Sequence, residues 1–323
     1  MAREGFGKWE LTGRPPSQWG SILSNASHNG ILFNEDRKSW QSLRQVAQTA
    51  VRKYSKSDKL ATIVDSSVTE MMALLISREV GTTIFSEKFN TENVESKKFK
   101  YCSTDFLLDI GNSMYLYEFI PLLRPFMKNP LDLYETYFTE IKDYTRNIYK
   151  THENTYDKDI NRDFCDVLIA AKLKAICEDK QSAQYFTDEN LSSVMIDLFI
   201  GGVETSMTTL LWMILLMIRN PNMQRKLRDE IHEKLNGNVP VISDKVNLDY
   251  VMAYISETLR YPIPANTYVI VDQGCILMDE NNWKNADQFI PDRFLDDQGK
   301  YGTVKPAAFI PFSTGRRIYS VDK

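Results

Sequence analysis

Histidine and cysteine are scarce in this chain, and that scarcity narrows its chemistry. Three histidines (His28, His152, His232) occur among 323 residues and share no helical spacing, so each reads as a surface residue. The four cysteines (Cys102, Cys165, Cys177, Cys275) show no C-x-x-C spacing, which suggests neither a zinc site nor a disulfide framework. There is no long basic run and the net charge is -4, which argues against nucleic acid as the main partner. There are no internal repeats or low-complexity linkers, so the expectation is one domain spanning 1–323. No signal peptide or anchor opens the chain: Met1 to Gly20 is polar and broken by Pro15-Pro16. The longest apolar run, Met207 to Ile218, is too short to span a bilayer. Extended back to Ile196 it is long enough, but it then holds Asp197, Glu204 and two glycines, so a membrane helix with an intramembrane acid stands as an alternative.

What is present is helical patterning over a length that can bury a large core. Trp40-x-x-Leu43-x-x-Val46-Ala47 predicts an amphipathic helix to about Tyr54, and Asp58 to about Leu75 predicts another. Residues 82–119 have mixed periodicity. Leu131 to Tyr149 reads as a long aromatic-rich helix, 154–163 as a loop, and Phe164 to Cys177 as a helix followed by a polar loop to Thr187. Thr187-Asp188-Glu189-Asn190 carries start signals for a helix reaching about Arg219. Asn220-Pro221 opens the next, with Asn as cap, an apolar stripe of Met223, Leu227, Ile231 and Leu235, and Gly237 as its end. Asp249 to Arg260 is a further helix, and Tyr268 to Val271 is the clearest strand candidate.

Several short groups bear on chemistry. Gly201-Gly202-Val203-Glu204-Thr205-Ser206 sits mid-helix, where two glycines cost about 1 kcal/mol each. Their bare backbone admits a flat ligand or a gas molecule, and an acid beside an alcohol can relay protons; a close helix crossing explains the glycines equally well. Trp40-x-x-x-Arg44 places two donors one turn apart, fit for a carboxylate, or a core Trp with Arg at its rim. Glu257-x-x-Arg260 alone is an ordinary i,i+3 pair worth about 0.2–0.5 kcal/mol. Arg293, in Phe289-Ile290-Pro291-Asp292-Arg293-Phe294, alone reads as a surface residue after a turn.

In combination they mean more. Trp40-x-x-x-Arg44, Gly201-Gly202-x-Glu204-Thr205, Glu257-x-x-Arg260, Pro291-x-Arg293-Phe294 and Phe312-x-x-Gly315-x-Arg317 occur in this order. Ile242-Ser243-Asp244 ahead of Tyr250-x-x-Ala253-Tyr254-Ile255-Ser256-Glu257 adds linking text. Over most of Gly30 to Ile318 the chain resembles the cytochrome P-450 family from its helix C onward, best its animal microsomal branch of steroid hydroxylases and drug-metabolising enzymes.

The resemblance implies a mainly α fold with a small β portion, incomplete at both ends, holding haem b between a distal helix and a proximal loop. It implies a monooxygenase that inserts one oxygen atom of dioxygen into an apolar steroid, lipid or xenobiotic. Electrons come from NADPH through NADPH-cytochrome P-450 reductase, at the cytoplasmic face of the endoplasmic reticulum membrane or, for a chain with no anchor, in the cytoplasm. By position, Glu204 and Thr205 match the proton-delivering pair, and Gly201 and Gly202 the oxygen groove. Trp40, Arg44 and Arg317 match propionate donors. Phe312 and Gly315 match the haem loop, and Glu257, Arg260 and Arg293 the charge network beneath it. Arg52, Lys53, Lys56 and Lys59 can dock the reductase or simply form a solvated face.

There are departures. Tyr319 stands where the family's iron-ligating cysteine would be, and Val321 where its closing glycine would be. Turns and strands expected after Arg260 are missing, since Tyr261-Pro262-Ile263-Pro264 follows at once. The family's first helices and its last helix are also expected to be absent. Tyrosinate can ligate ferric haem but cannot reproduce thiolate donation. Three readings follow: an impaired monooxygenase, a non-catalytic or partner-binding remnant, or a tyrosinate-ligated haem protein.

Overall fold

Apolar side chains recurring every three or four positions decide which face of each helix turns inward. The computed structural model describes residues 17–24, 30–55, 94–106, 112–160, 162–238, 240–261, 276–302 and 305–312. The expected helix over 58–75, the strand candidate over 268–271, His28 and Cys275 lie outside them. The described chain forms two compact units, one within residues 13–205 and one within residues 206–323. α-Helices dominate both. Among the described residues the β content is an isolated antiparallel bridge, Leu295 to Tyr301.

The first unit contains α1 (Gln18–Leu23), α2 (Arg37–Ser55), α3 (Val94–Lys100), α4 (Asn112–Phe119), α5 (Asp132–Asn154) and α6 (Phe164–Cys177). It also contains the first part of α7 (Asp188–Arg219). Helix α2 buries Trp40, Leu43, Val46, Ala47 and Ala50, one stripe of an amphipathic helix. Asp36 caps it: its carboxylate accepts from the Ser39 amide at 2.6 Å, and its carbonyl from the Trp40 amide at 2.8 Å. The described part of the mixed stretch forms α3, a π-helical turn over Tyr101–Asp105, and α4. Phe99, Cys102 and Phe106 from this stretch meet Tyr134, Phe138 and Ile141 of α5 in the core.

Helix α5 runs five residues past the expected end at Tyr149, and the corner that follows explains why. His152, expected at the surface, is buried. Its Nδ1 lies 3.0 Å from the Ile148 carbonyl and its Nε2 lies 3.0 Å from Asp163. Asp163 also caps α6, accepting from the amides of Cys165 at 2.9 Å and Asp166 at 3.2 Å. Arg162 closes the corner, bonding both Asp166 oxygens and the His152 carbonyl. Lys172 of α6 bridges Glu153 and Asp188 at 2.6 Å each, tying α5, α6 and α7 together.

The second unit holds residues 206–219 of α7, then α8 (Pro221–Leu235) and α9 (Asp249–Arg260), followed by turns. Leu216, Leu227, Tyr250 and Tyr254 form its helical core. Helix α8 begins at Pro221 as expected, but Asn220 does not cap it: its side-chain amide donates back to the Leu216 carbonyl at 2.8 Å. Asn236, ahead of Gly237, takes the left-handed conformation that ends the helix, with φ 49°. Ile231 lies exposed, so the apolar stripe of α8 is buried only in part. Helix α7 is long and apolar enough to cross a membrane, but Leu191, Val194, Met195, Ile196, Phe199 and Val203 serve the core of the first unit.

The His152 corner makes a pH prediction. Both ring nitrogens face acceptors, so only the imidazolium donates to both, and the bond to Asp163 raises the His152 pKa. Its stabilisation is complete below the ordinary histidine value and is lost as pH rises through the higher folded value. His152→Gln should lower stability by about 1–3 kcal/mol at pH 6 and by less at pH 9, read from urea midpoints. Equal losses at the two pH values would contradict the assignment.

Candidate functional site

A carboxylate can be buried only where hydrogen bonds and opposite charge replace its water. Glu257 has 0% of its side chain exposed, and three groups surround it. Arg260, one turn later on α9, donates from Nε to Oε2 and from Nη2 to Oε1, both at 2.8 Å. Arg293 brings its Nε to 3.1 Å from Oε2, an ion pair without a well-directed hydrogen bond. The Ile290 amide donates to Oε1 at 2.9 Å.

The remaining guanidinium donors hold the chain between residues 277 and 290. Arg260 Nη1 reaches the carbonyls of Leu277 at 2.7 Å and Ala286 at 3.1 Å, and Nη2 that of Gln288 at 3.1 Å. Arg293 donates to the carbonyls of Lys284 at 2.9 Å and of Asn285 and Gln288 at 3.1 Å each. The fork geometry of arginine makes this possible, because five N–H donors let each guanidinium meet Glu257 and three carbonyls at once, which the three donors of a lysine could not. Trp283 covers the network, its ring centroid 5.4 Å from the Arg260 guanidinium. Arg293 is therefore not the surface residue that its local sequence suggested, with 10% of its side chain exposed.

The Trp40–Arg44 pair lies in the first unit. Both side chains are buried on one face of α2, and the guanidinium sits 5.0 Å from the indole centroid. Burial lowers the Arg44 pKa, since a desolvated cation is costly. Gly201, Gly202, Glu204 and Thr205 share helix α7. The Thr205 hydroxyl donates back to the Gly201 carbonyl at 2.8 Å, at an exposed position of the helix. Phe312 is half-buried, and Gly315, Arg317 and Tyr319 lie outside the described residues. The structure thus brings Glu257, Arg260 and Arg293 together, and pairs Trp40 with Arg44.

Two carboxylates play parts that sequence reasoning did not assign. Glu230 of α8 caps α9, its oxygens accepting from the amides of Tyr250 at 2.8 Å and Val251 at 2.9 Å. Its place in a charged helix gave no signal. Asp197, one turn ahead of Gly201, accepts from the amides of Ile31 and Leu32. An acid in the largely apolar run, separate from the Glu204-Thr205 pair, was the available signal.

A family profile described as Cytochrome P-450 matches residues 66–262 and 261–318. The two matched segments meet where the missing turns and strands were expected. A steroid 17-alpha-hydroxylase/17,20 lyase of Squalus acanthias is 27% identical over 95% of this chain and 68% of its own length. Cytochrome P-450 18a1 of Drosophila melanogaster is 25% identical over 98% of this chain and 67% of its own. Cytochrome P-450 2U1 of Homo sapiens is 27% identical over 75% of this chain and 48% of its own.

Arg260→Met keeps much of the side-chain volume but strips Glu257 of its bidentate partner and the Leu277 and Ala286 carbonyls of their guanidinium donor. It should destabilise the protein by about 3–5 kcal/mol in urea unfolding. A loss below about 1 kcal/mol, the range of an exposed pair, would refute the burial argument.

Proposed function

Because the chain belongs to the cytochrome P-450 family, we propose that it descends from a haem-dependent monooxygenase acting on an apolar steroid, lipid or xenobiotic, and that Tyr319 impairs that activity. We take residues 1–323 as a single, incomplete domain of the family. The observation that carries the reading is the meeting of Glu257, Arg260 and Arg293 around one buried carboxylate. These are the residues that the resemblance groups together.

The residues described fit haem on the distal and propionate side. Trp40 and Arg44 are donors on one buried helical face, the chemistry that porphyrin carboxylates require. Gly201 and Gly202 leave the backbone of α7 bare within the same unit of the chain. When bound, haem b supplies dioxygen binding and oxygen-atom insertion. Trp40, Arg44 and Arg317 would hold its carboxylates, with Phe312 and Gly315 shaping the loop on the other side. Glu204 and Thr205 would carry protons; the Thr205 proton now rests on the Gly201 carbonyl and must rotate away to be passed on. The Glu257 network would keep the turns from 277 to 293 in place.

Electrons would come from NADPH through NADPH-cytochrome P-450 reductase, docking near the exposed Arg52 and Lys53 at the end of α2. The endoplasmic reticulum membrane, on its cytoplasmic face, is the proposed location. Leu122 and Phe126, 83% and 86% exposed beside Arg124 and Lys128, support a lipid-facing surface. Tyr319 at the ligand position favours a second reading, a remnant that binds haem weakly or through tyrosinate, because tyrosinate cannot supply thiolate donation.

The test is the spectrum of the reduced, carbon monoxide-treated protein. The chain as it stands should lack the thiolate-type red-shifted Soret band, and Tyr319→Cys should gain it. That band in the unaltered chain would contradict the impairment. Failure of both proteins to take up haem would remove the haem reading.

A further inference from the structure

We propose that Asp197 is a positioning residue: its carboxylate latches the backbone at Ile31 and Leu32 to the distal helix and thereby sets the start of α2, which carries Trp40 and Arg44. The inference rests on the haem reading above only for its functional consequence; the latch itself stands on geometry.

Asp197 Oδ2 accepts from the Ile31 amide in a short hydrogen bond and from the Leu32 amide at 3.2 Å. Gly30 makes the approach possible. Its φ of 71° favours glycine, and a β-carbon there would stand 2.5 Å from Asp197 Oδ2. From Gly30 the bonding continues without a break to α2. The Gly30 carbonyl accepts from Asn34 Nδ2 at 3.1 Å, and the same nitrogen donates to Ser39 Oγ at 3.1 Å. The Ser39 amide donates to Asp36, whose carbonyl accepts from the Trp40 amide. A side chain four residues before Gly201 is thereby connected to the amide of Trp40.

The surroundings of Asp197 sharpen the test. The residue keeps some accessible surface, yet its carboxylate lies under the 30–32 turn, and desolvation pushes its pKa up to about 7. The two amides and Lys142 oppose that shift. The titratable groups facing it are Lys142 and Tyr134 of α5; the turn itself contributes none. Lys142 is anchored on the Ile22 carbonyl at 2.8 Å. A carboxyl whose closed-state value lies above its solvated value binds its proton more tightly when closed. Closure is therefore favoured at low pH, and that advantage is lost as pH rises to about 7.

The experiment is hydrogen–deuterium exchange on the full chain, with rates corrected for intrinsic exchange. In Asp197→Ala the amides of 30–40 should lose protection by about tenfold or more, while those of α5 and α6 keep theirs. In the unaltered chain protection at 30–34 should fall by about tenfold or more between pH 5 and pH 8. Asp197→Asn, which keeps an acceptor but cannot ionise, should show no such trend. Unchanged protection at 30–34 in Asp197→Ala, or a loss spread evenly over residues 17–205, overturns the latch. So does a pH trend that survives in Asp197→Asn. Hemin titration decides the consequence separately. Affinity in Asp197→Ala should fall about tenfold or more if α2 is mispositioned, and equal affinity overturns the positioning role. If the unaltered chain takes up no hemin, the haem reading fails, and the exchange data still decide the latch.

Discussion

One buried carboxylate organises the second unit. Glu257 is sealed from water, so its charge must be met by protein groups, and these arrive from three directions. An ion pair of this kind is weak evidence for stability, because desolvation offsets much of the attraction. Its effect here is on specificity. Residues 278–293 include only a short 3₁₀ turn as regular structure, so backbone ladders do not hold them. Their carbonyls are instead held by two guanidinium groups whose own positions are set by Glu257. Trp283 then covers Arg260, and Phe294 and Phe309 pack against Trp283.

The first unit solves a related problem on the distal helix. Asp197, Gly201, Gly202 and Thr205 weaken or interrupt an otherwise apolar helix within three turns. The two polar departures are answered: the 30–32 turn supplies donors to Asp197, and the Gly201 carbonyl accepts the Thr205 hydroxyl. Around them Phe199, Val203 and Ile196 keep the helix in the core. A helix composed for burial thus tolerates the polar groups that the proposed chemistry requires.

Much of this was legible from residue order, because helices announce themselves through local periodicity. The bounds of Phe164–Cys177 and Asp249–Arg260 follow from apolar spacing and caps. What depends on distant partners was not. His152 looked like a lone polar residue because its partner Asp163 sits in a stretch read as loop. Asn220 had the sequence of a cap, but the Leu216 carbonyl competed for its side chain. In the candidate site, Glu257 and Arg260 alone resembled an exposed pair of small worth. Only the order of several motifs linked them to Arg293, and only the fold shows the pair buried. Asp197 gave a signal, an acid in a largely apolar run, but the amides that answer it lie 165 and 166 residues away.

The account turns on the claim that Glu257, rather than regular secondary structure, holds the turns after α9. Trypsin cleavage of Glu257→Gln, followed by mass spectrometry, tests it directly. Removing the charge while keeping the shape should expose Lys284 and Arg293 to cleavage about tenfold faster than in the unaltered chain, with the sites in α5 and α6 unaffected. Cleavage at Lys284 and Arg293 at the unaltered rate would contradict it.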